Sequence, residues 1–157
     1  MSEEIIRIAN CSGYYGDKLS AAKDLLDGGP IDVLTGDYLA ELTMTILYNQ
    51  KLTRGEDKGY VGTFLKQIKE IAKDCKDKNI KVVTNAGGLN PSSMANEIKK
   101  ILEDLSIDLK VAFLEGDDLM PRINELSKYG EKFINIDKNK TLEESGHHLL
   151  TANAYLG

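Results

Sequence analysis

Two carboxylates four residues apart, Asp37 and Glu41, offer the clearest acid–base or cation chemistry in this chain. On a helix that spacing places both on one face, where they could hold a divalent cation or act as a base and its orienting group. The same residues also suit a plainer arrangement, with Asp37 as helix cap and Glu41 in the first turn, where negative charge is favoured. Asp117, followed by Asp118, is a third acidic candidate of the hard-cation type, although paired acids after a strand equally serve as caps. The catalytic candidates are therefore Asp37, Glu41 and Asp117, and no metal or cofactor is specified.

A second chemistry belongs to the glycine loops. Asn85-Ala86-Gly87-Gly88-Leu89-Asn90 places closely spaced N–H groups before an expected helix, which suits a phosphate or carboxylate. The alternative is a βα turn whose glycines only satisfy the backbone, and no Walker lysine or full dinucleotide fingerprint is present. The loop Cys11-Ser12-Gly13-Tyr14-Tyr15-Gly16-Asp17 is similar, with Asp17 equally suited to capping a helix. The candidate binding residues are Ser12, Gly13, Asp17, Asn85, Gly87, Gly88 and Asn90. Cys11 lacks an identifiable His partner and reads as a small buried residue, and Cys75 falls on an apolar helix stripe. His147 and His148 are consecutive, ill placed to share one metal, and read as solvated.

The elements that must position these residues alternate: a short apolar run, a polar loop, then a segment of helical periodicity. That alternation predicts an α/β fold, a Rossmann-like open and mostly parallel sheet of about five strands flanked by helices. The expected strands are 5–10, 31–34, 80–84, 109–114 and 132–136. Helices are expected through Leu19–Leu26, over 38–49 with apolar residues nearly all round, along Phe64, Ile68, Ile71 and Cys75, from Pro91 with a buried stripe of Ile98, Ile101, Leu102 and Leu105, and over 121–128. Asn90 should cap the fourth of these, with Pro91 as its first residue. Residues 52–58 read as an exposed loop and 137–157 as a partly extended tail of a single domain. In such a sheet, ligands bind outside the carboxyl ends of the strands where the order reverses. The crevice falls between the first and third loops if the order is 2-1-3-4-5, and between the first and fourth if it is 3-2-1-4-5.

The 157 residues, 41% hydrophobic and 29% charged, suffice for one core. Twenty Lys and Arg against 25 Asp and Glu leave a formal charge of −5, a poor start for binding nucleic acid or an anionic membrane. The lysines from Lys66 to Lys76 alternate with Glu70, Asp74 and Asp77 and read as a solvated helix face. Two cysteines, no charged apolar leader and no long apolar run point to a cytoplasmic chain without a membrane span.

Five ordered blocks resemble a known family. They are Ile8-Ala9-Asn10-Cys11-Ser12-Gly13 with Gly16-Asp17; residues 29–44, which include Leu34-Thr35-Gly36-Asp37-Tyr38; Lys81 through Pro91; Glu115-Gly116-Asp117-Asp118-Leu119; and Thr151-Ala152-Asn153-Ala154-Tyr155-Leu156-Gly157. Together they resemble the N-terminal region of the acyclic terpene utilisation family. That family is named for bacterial growth on citronellol and geraniol, beside enzymes that handle acyl-CoA thioesters. The resemblance implies binding or conversion of an anionic small molecule, a terpenoid or branched acyl-CoA, at the strand-exit loops. Typical members are longer, so it also implies an alternative: a non-catalytic subunit that completes a site or fold with a partner polypeptide, as a homo- or hetero-oligomer.

Overall fold

Phe64, Ile68, Ile71 and Cys75 recur at spacings of four and three, and all four are buried along one side of a helix over Gly62–Asp77. Lys66, Lys69, Lys73 and Lys76 lie exposed on its other side, as their spacing requires. The structure is a computed structural model and describes residues 5–154. It has a unit ending at Leu114 and a second beginning at Glu115.

The first unit runs β1 (Ile8–Asn10), α1 (Ala21–Gly28), β2 (Val33–Gly36), α2 (Glu41–Arg54), α3 (Gly62–Asp77), β3 (Lys81–Thr84) and α4 (Pro91–Asp104). The strands are all parallel and ordered β1-β2-β3, with Ile8 beside Val33 and Val33 beside Lys81. With β2 between β1 and β3, the order overturns the 2-1-3 alternative, and no fourth strand among the described residues sits beside β1 to complete a 3-2-1-4-5 order. Alternation along each strand separates two faces. Leu34 and Val82 pack with α1, α3 and α4 into one core, whose least exposed side chains include Leu26, Leu47, Val61 and Ile71.

The expected five strands reduce to three among the described residues. Residues 107–111 do alternate, with Ile107, Leu109 and Val111 against the core, but they form no ladder, and Leu114 is 92% exposed. Apolar alternation marks an extended chain, whereas a strand also needs a neighbour to accept its hydrogen bonds. The expected strand at 132–136 is a single antiparallel bridge, Ile134 with Thr141, closing a turn in which the Asn135 N–H donates to the Lys140 carbonyl.

Several helix expectations also change: α1 begins only at Ala21, leaving Leu19 outside it and exposed. α2 begins at Glu41, not Tyr38, continues through Leu52 to Arg54, and is one-sided: Thr43, Met44 and Leu47 are buried while Leu42 is 72% exposed. The loop expected over 52–58 therefore begins only after Arg54. Leu105 ends exposed at the foot of α4. By contrast, Asn90 caps α4 as expected, its Oδ1 accepting from the Ser93 N–H with Pro91 first in the helix.

The second unit holds a 3₁₀ turn over Met120–Arg122, α5 (Ile123–Lys128) and α6 (Leu142–Ser145). Thr141 and Glu144 close α6 with a reciprocal capping box, which puts a short helix inside the expected extended tail. Residues 155–157 of the last family-like block lie outside the described residues. No helix of the described residues is long and apolar enough to cross a membrane.

Burial pushes the Cys75 thiol up to about 11. Its folded pKa thus exceeds the free-thiol value, so the protonated thiol supports the fold at neutral pH and that support is lost as pH rises from about 9 through 11. Thermal unfolding followed by circular dichroism should show a steeper loss of stability across that interval in the native chain than in Cys75→Ala, which starts lower because of the cavity it leaves.

Candidate functional site

The three strands end side by side, and their exit loops are fastened to one another in sheet order. Between the first two loops, the Cys11 N–H donates to the Thr35 carbonyl at 2.8 Å and the Asp37 N–H to the Ser12 carbonyl at 3.0 Å. Asn10 reinforces the join, its Nδ2 donating to the Ser12 carbonyl and its Oδ1 accepting from Thr35 Oγ1. Between the second and third loops, Asn85 acts in both senses. Its Oδ1 accepts from the Tyr38 N–H at 2.8 Å, and its Nδ2 donates to Asp37 Oδ1 at 2.6 Å. Thr84 Oγ1 donates to the Gly36 carbonyl behind them.

Asp37 therefore stands at the centre of this edge. Its side chain is exposed, one oxygen is held by Asn85, and Oδ2 has no partner among the described residues. Asp37 does not cap α2, whose N-cap is Ala40. Because Asp37 lies outside the helix, the spacing that would put it and Glu41 on one helical face does not apply; Glu41 is the exposed first residue of α2. Asp17 also has a different role from the expected cap. It accepts from the Gly13 N–H at 2.9 Å and from the Lys18 N–H, folding the first loop onto itself, while α1 begins after Ser20.

The third loop uses most of its own donors. The N–H groups of Gly88, Leu89 and Asn90 donate to the carbonyls of Asn85, Gly59 and Gly87. The Asn90 amide nitrogen donates to the carbonyls of Glu56 and Lys58, tying the α2–α3 connection to the start of α4. Among the described residues, the N–H groups of Tyr14, Tyr15, Gly16 and Gly87 have no protein acceptor. No three His, Cys, Asp or Glu side chains of the described residues group as a metal site.

Beneath the loops lies a polar contact that periodicity did not single out. Tyr38 is 3% exposed, its hydroxyl donates to Gln67 Oε1, and its ring meets Phe64 edge-on at 5.9 Å. Gln67 is itself buried, and its Nε2 donates to the Leu19 carbonyl. The signal was available in retrospect: Gln67 is a polar residue on the buried side of an apolar helix. Cys11 lies 3.9 Å from the same hydroxyl. Burial pushes its thiol up, outweighing its contact with the Tyr38 hydroxyl, so the protonated form prevails and the nucleophile reading gains nothing. His147 and His148 are exposed, as expected.

Asp117 belongs to the second unit. Its Oδ2 accepts from Asn153 Nδ2 at 3.1 Å and its carbonyl from the Ala154 N–H, beside the antiparallel bridge of Asp118 with Asn153. Asp118 Oδ1 accepts from the Met120 N–H ahead of the 3₁₀ turn.

Compared with protein families, residues 6–157 match the model of the acyclic terpene utilisation family protein AtuA. The chain belongs to the acyclic terpene utilisation family. No curated protein and no solved structure matches it. The blocks that carried the resemblance divide by unit. Three acyclic terpene utilisation blocks form the fastened edge around Ser12, Asp37 and Asn85, and the other two pair with each other through Asp117, Asp118 and Asn153.

Proposed function

We propose that this member of the family binds an anionic small molecule, a terpenoid or branched acyl-CoA thioester, at the carboxyl edge of β1, β2 and β3, and that Asp37 is the acid–base group acting on it. The observation that carries this reading is the exposed Asp37 carboxylate, held by Asn85 through one oxygen and open at the other. A carboxylate fixed in orientation with one free lone-pair edge is equipped to take a proton from a neighbouring carbon or hydroxyl. Ser12, Asn85 and Asn90 build the platform, Gly13 leaves space beside it, and Gly87 and Gly88 shape the third loop by packing closely on Pro91 and Leu47. Asp17 and Asp37 lie on these loops and Glu41 opens α2, so the ligand's negative charge is received by backbone N–H groups, those of Tyr14 to Gly16 and Gly87 being open. Glu41 is the further acid–base candidate at this edge.

Asp37→Asn isolates the charge, because its amide oxygen still accepts from Asn85 while its basicity is gone. Titration calorimetry with a terpenoid and a branched acyl-CoA should give a Kd within about threefold of the native chain. Turnover followed by mass spectrometry should fall by about 10²-fold or more, the usual contribution of a positioned base. Unchanged turnover would remove Asp37 from the chemistry, and failure of the native chain to bind either thioester would remove the ligand class.

A further inference from the structure

We propose that Tyr38 and Gln67 are positioning residues: the buried hydrogen bond between them fixes where the second loop carries the Asp37 carboxylate, and so holds that carboxylate against Asn85. The inference rests on the reading of Asp37 as the acid–base group, and every contact it uses lies inside the first unit.

Asp37 and Tyr38 are consecutive and point opposite ways, Asp37 exposed and Tyr38 buried. The peptide N–H groups on both sides of the Asp37 Cα are held, its own by the Ser12 carbonyl at 3.0 Å and that of Tyr38 by Asn85 Oδ1 at 2.8 Å. The Tyr38 carbonyl accepts from Thr43 Oγ1 at 3.0 Å. With the backbone clamped in this way, whatever fixes the Tyr38 side chain also fixes Asp37. The ring is confined by Phe64 and by Gly36, where a Cβ would lie 2.6 Å from Tyr38 Cε2. Its hydroxyl ends on Gln67 Oε1.

Gln67 is the informative residue. It lies on the buried side of α3, where a methionine would fill a similar volume without the cost of taking an amide out of water. That cost is offset because both ends of the amide are used. Oε1 accepts from Tyr38, and Nε2 donates at 3.3 Å to the carbonyl of Leu19, at the end of the first loop. One side chain of α3 thus ties together, from below, the same two loops that meet above where the Ser12 carbonyl takes the Asp37 N–H. Apolar packing has no direction, whereas a fully satisfied buried hydrogen-bond pair specifies one arrangement. Direction is what an acid–base carboxylate requires, because a misplacement of about 1 Å can cost about 10²-fold in rate.

The test compares the full native chain with the double variant Tyr38→Phe/Gln67→Met, which removes both ends of the bond and leaves no unpaired amide or hydroxyl at either position. Backbone amide exchange reads the positioning without a ligand. The Tyr38 N–H should exchange about tenfold faster in the double variant when referred to the amides of Ile71 in α3 and Ile98 in α4, which report opening of the whole unit. With a terpenoid and a branched acyl-CoA as substrates, kcat should fall about tenfold and KM stay within about twofold. An unchanged Tyr38 amide, or a uniform rise at all three amides, would mean that the pair only fills the core and would overturn the proposal. So would a native kcat in the double variant. Absence of turnover in the native chain would instead overturn the acid–base reading of Asp37, and the exchange result then decides the positioning role by itself.

Discussion

Asn85→Asp should destabilise the protein by about 0.5–3 kcal/mol at neutral pH, the range over which residues in contact couple, and Asp37→Asn in the same chain should restore most of that loss. In the native chain Asn85 Nδ2 donates to Asp37 at 2.6 Å while its Oδ1 accepts from the Tyr38 N–H. An aspartate at position 85 keeps the second contact and replaces the first with two carboxylates in hydrogen-bond range, so charge repulsion takes the place of a charge-assisted bond. With asparagine at position 37 the donor and acceptor are exchanged and the contact re-forms with the opposite polarity. Denaturant unfolding of the four chains gives the coupling energy directly, and residues in such contact couple by about 0.5–3 kcal/mol. The double variant should nevertheless lack turnover, because its carboxylate is on the wrong residue. Fastening and chemistry are thereby separated: a double variant as unstable as Asn85→Asp would show that the Asp37–Asn85 contact does not hold the loops.

Gly88→Ala should cost about 2–5 kcal/mol, whereas Gly13→Ala should be nearly neutral. Gly88 has φ +52°, and a Cβ there would lie 2.3 Å from Leu47 Cδ1 and 2.9 Å from the Gly59 carbonyl oxygen. Leu47 has no exposed surface, and the Gly59 carbonyl is fixed by the Leu89 N–H, so neither neighbour can give way freely. A left-handed conformation costs a non-glycine residue about 1–2 kcal/mol, and overpacking a filled core adds about 1–3 kcal/mol. At Gly13 the nearest atom to such a Cβ is Asp17 Oδ2 at 4.0 Å. Chemical denaturation of both variants measures the contrast, and equal losses would mean that the close packing around Gly88 is not the reason for its glycine.

These two residues mark what local pattern could and could not convey. The third-loop sequence Asn85-Ala86-Gly87-Gly88-Leu89-Asn90 announces a turn into a helix, and the cap by Asn90 with Pro91 is there because a cap needs only residues within three positions. It does not announce that Gly88 faces Leu47, forty-one positions earlier, or that Asn85 reaches Asp37 and Tyr38. The apolar stripe of α3 was legible for the same reason as the cap, since 3.6-residue periodicity is a property of one segment. Residues 109–114 have apolar content fit for a strand, yet a ladder requires a partner of matching register, which one segment cannot encode.

Of the candidate site, residue types and the loops that carry them were set by the sequence alone, and so was the membership implied by five ordered blocks. Tertiary structure decided which candidates act together. It joined Ser12, Asp37 and Asn85 through parallel strands, turned Asp17 onto its own loop, tied Asn90 to the α2–α3 connection, and placed Tyr38 over Gln67. The reason is physical: periodicity and capping are short-range, whereas strand pairing, the fastening of one loop by another and burial of a polar side chain depend on which distant segments share one core.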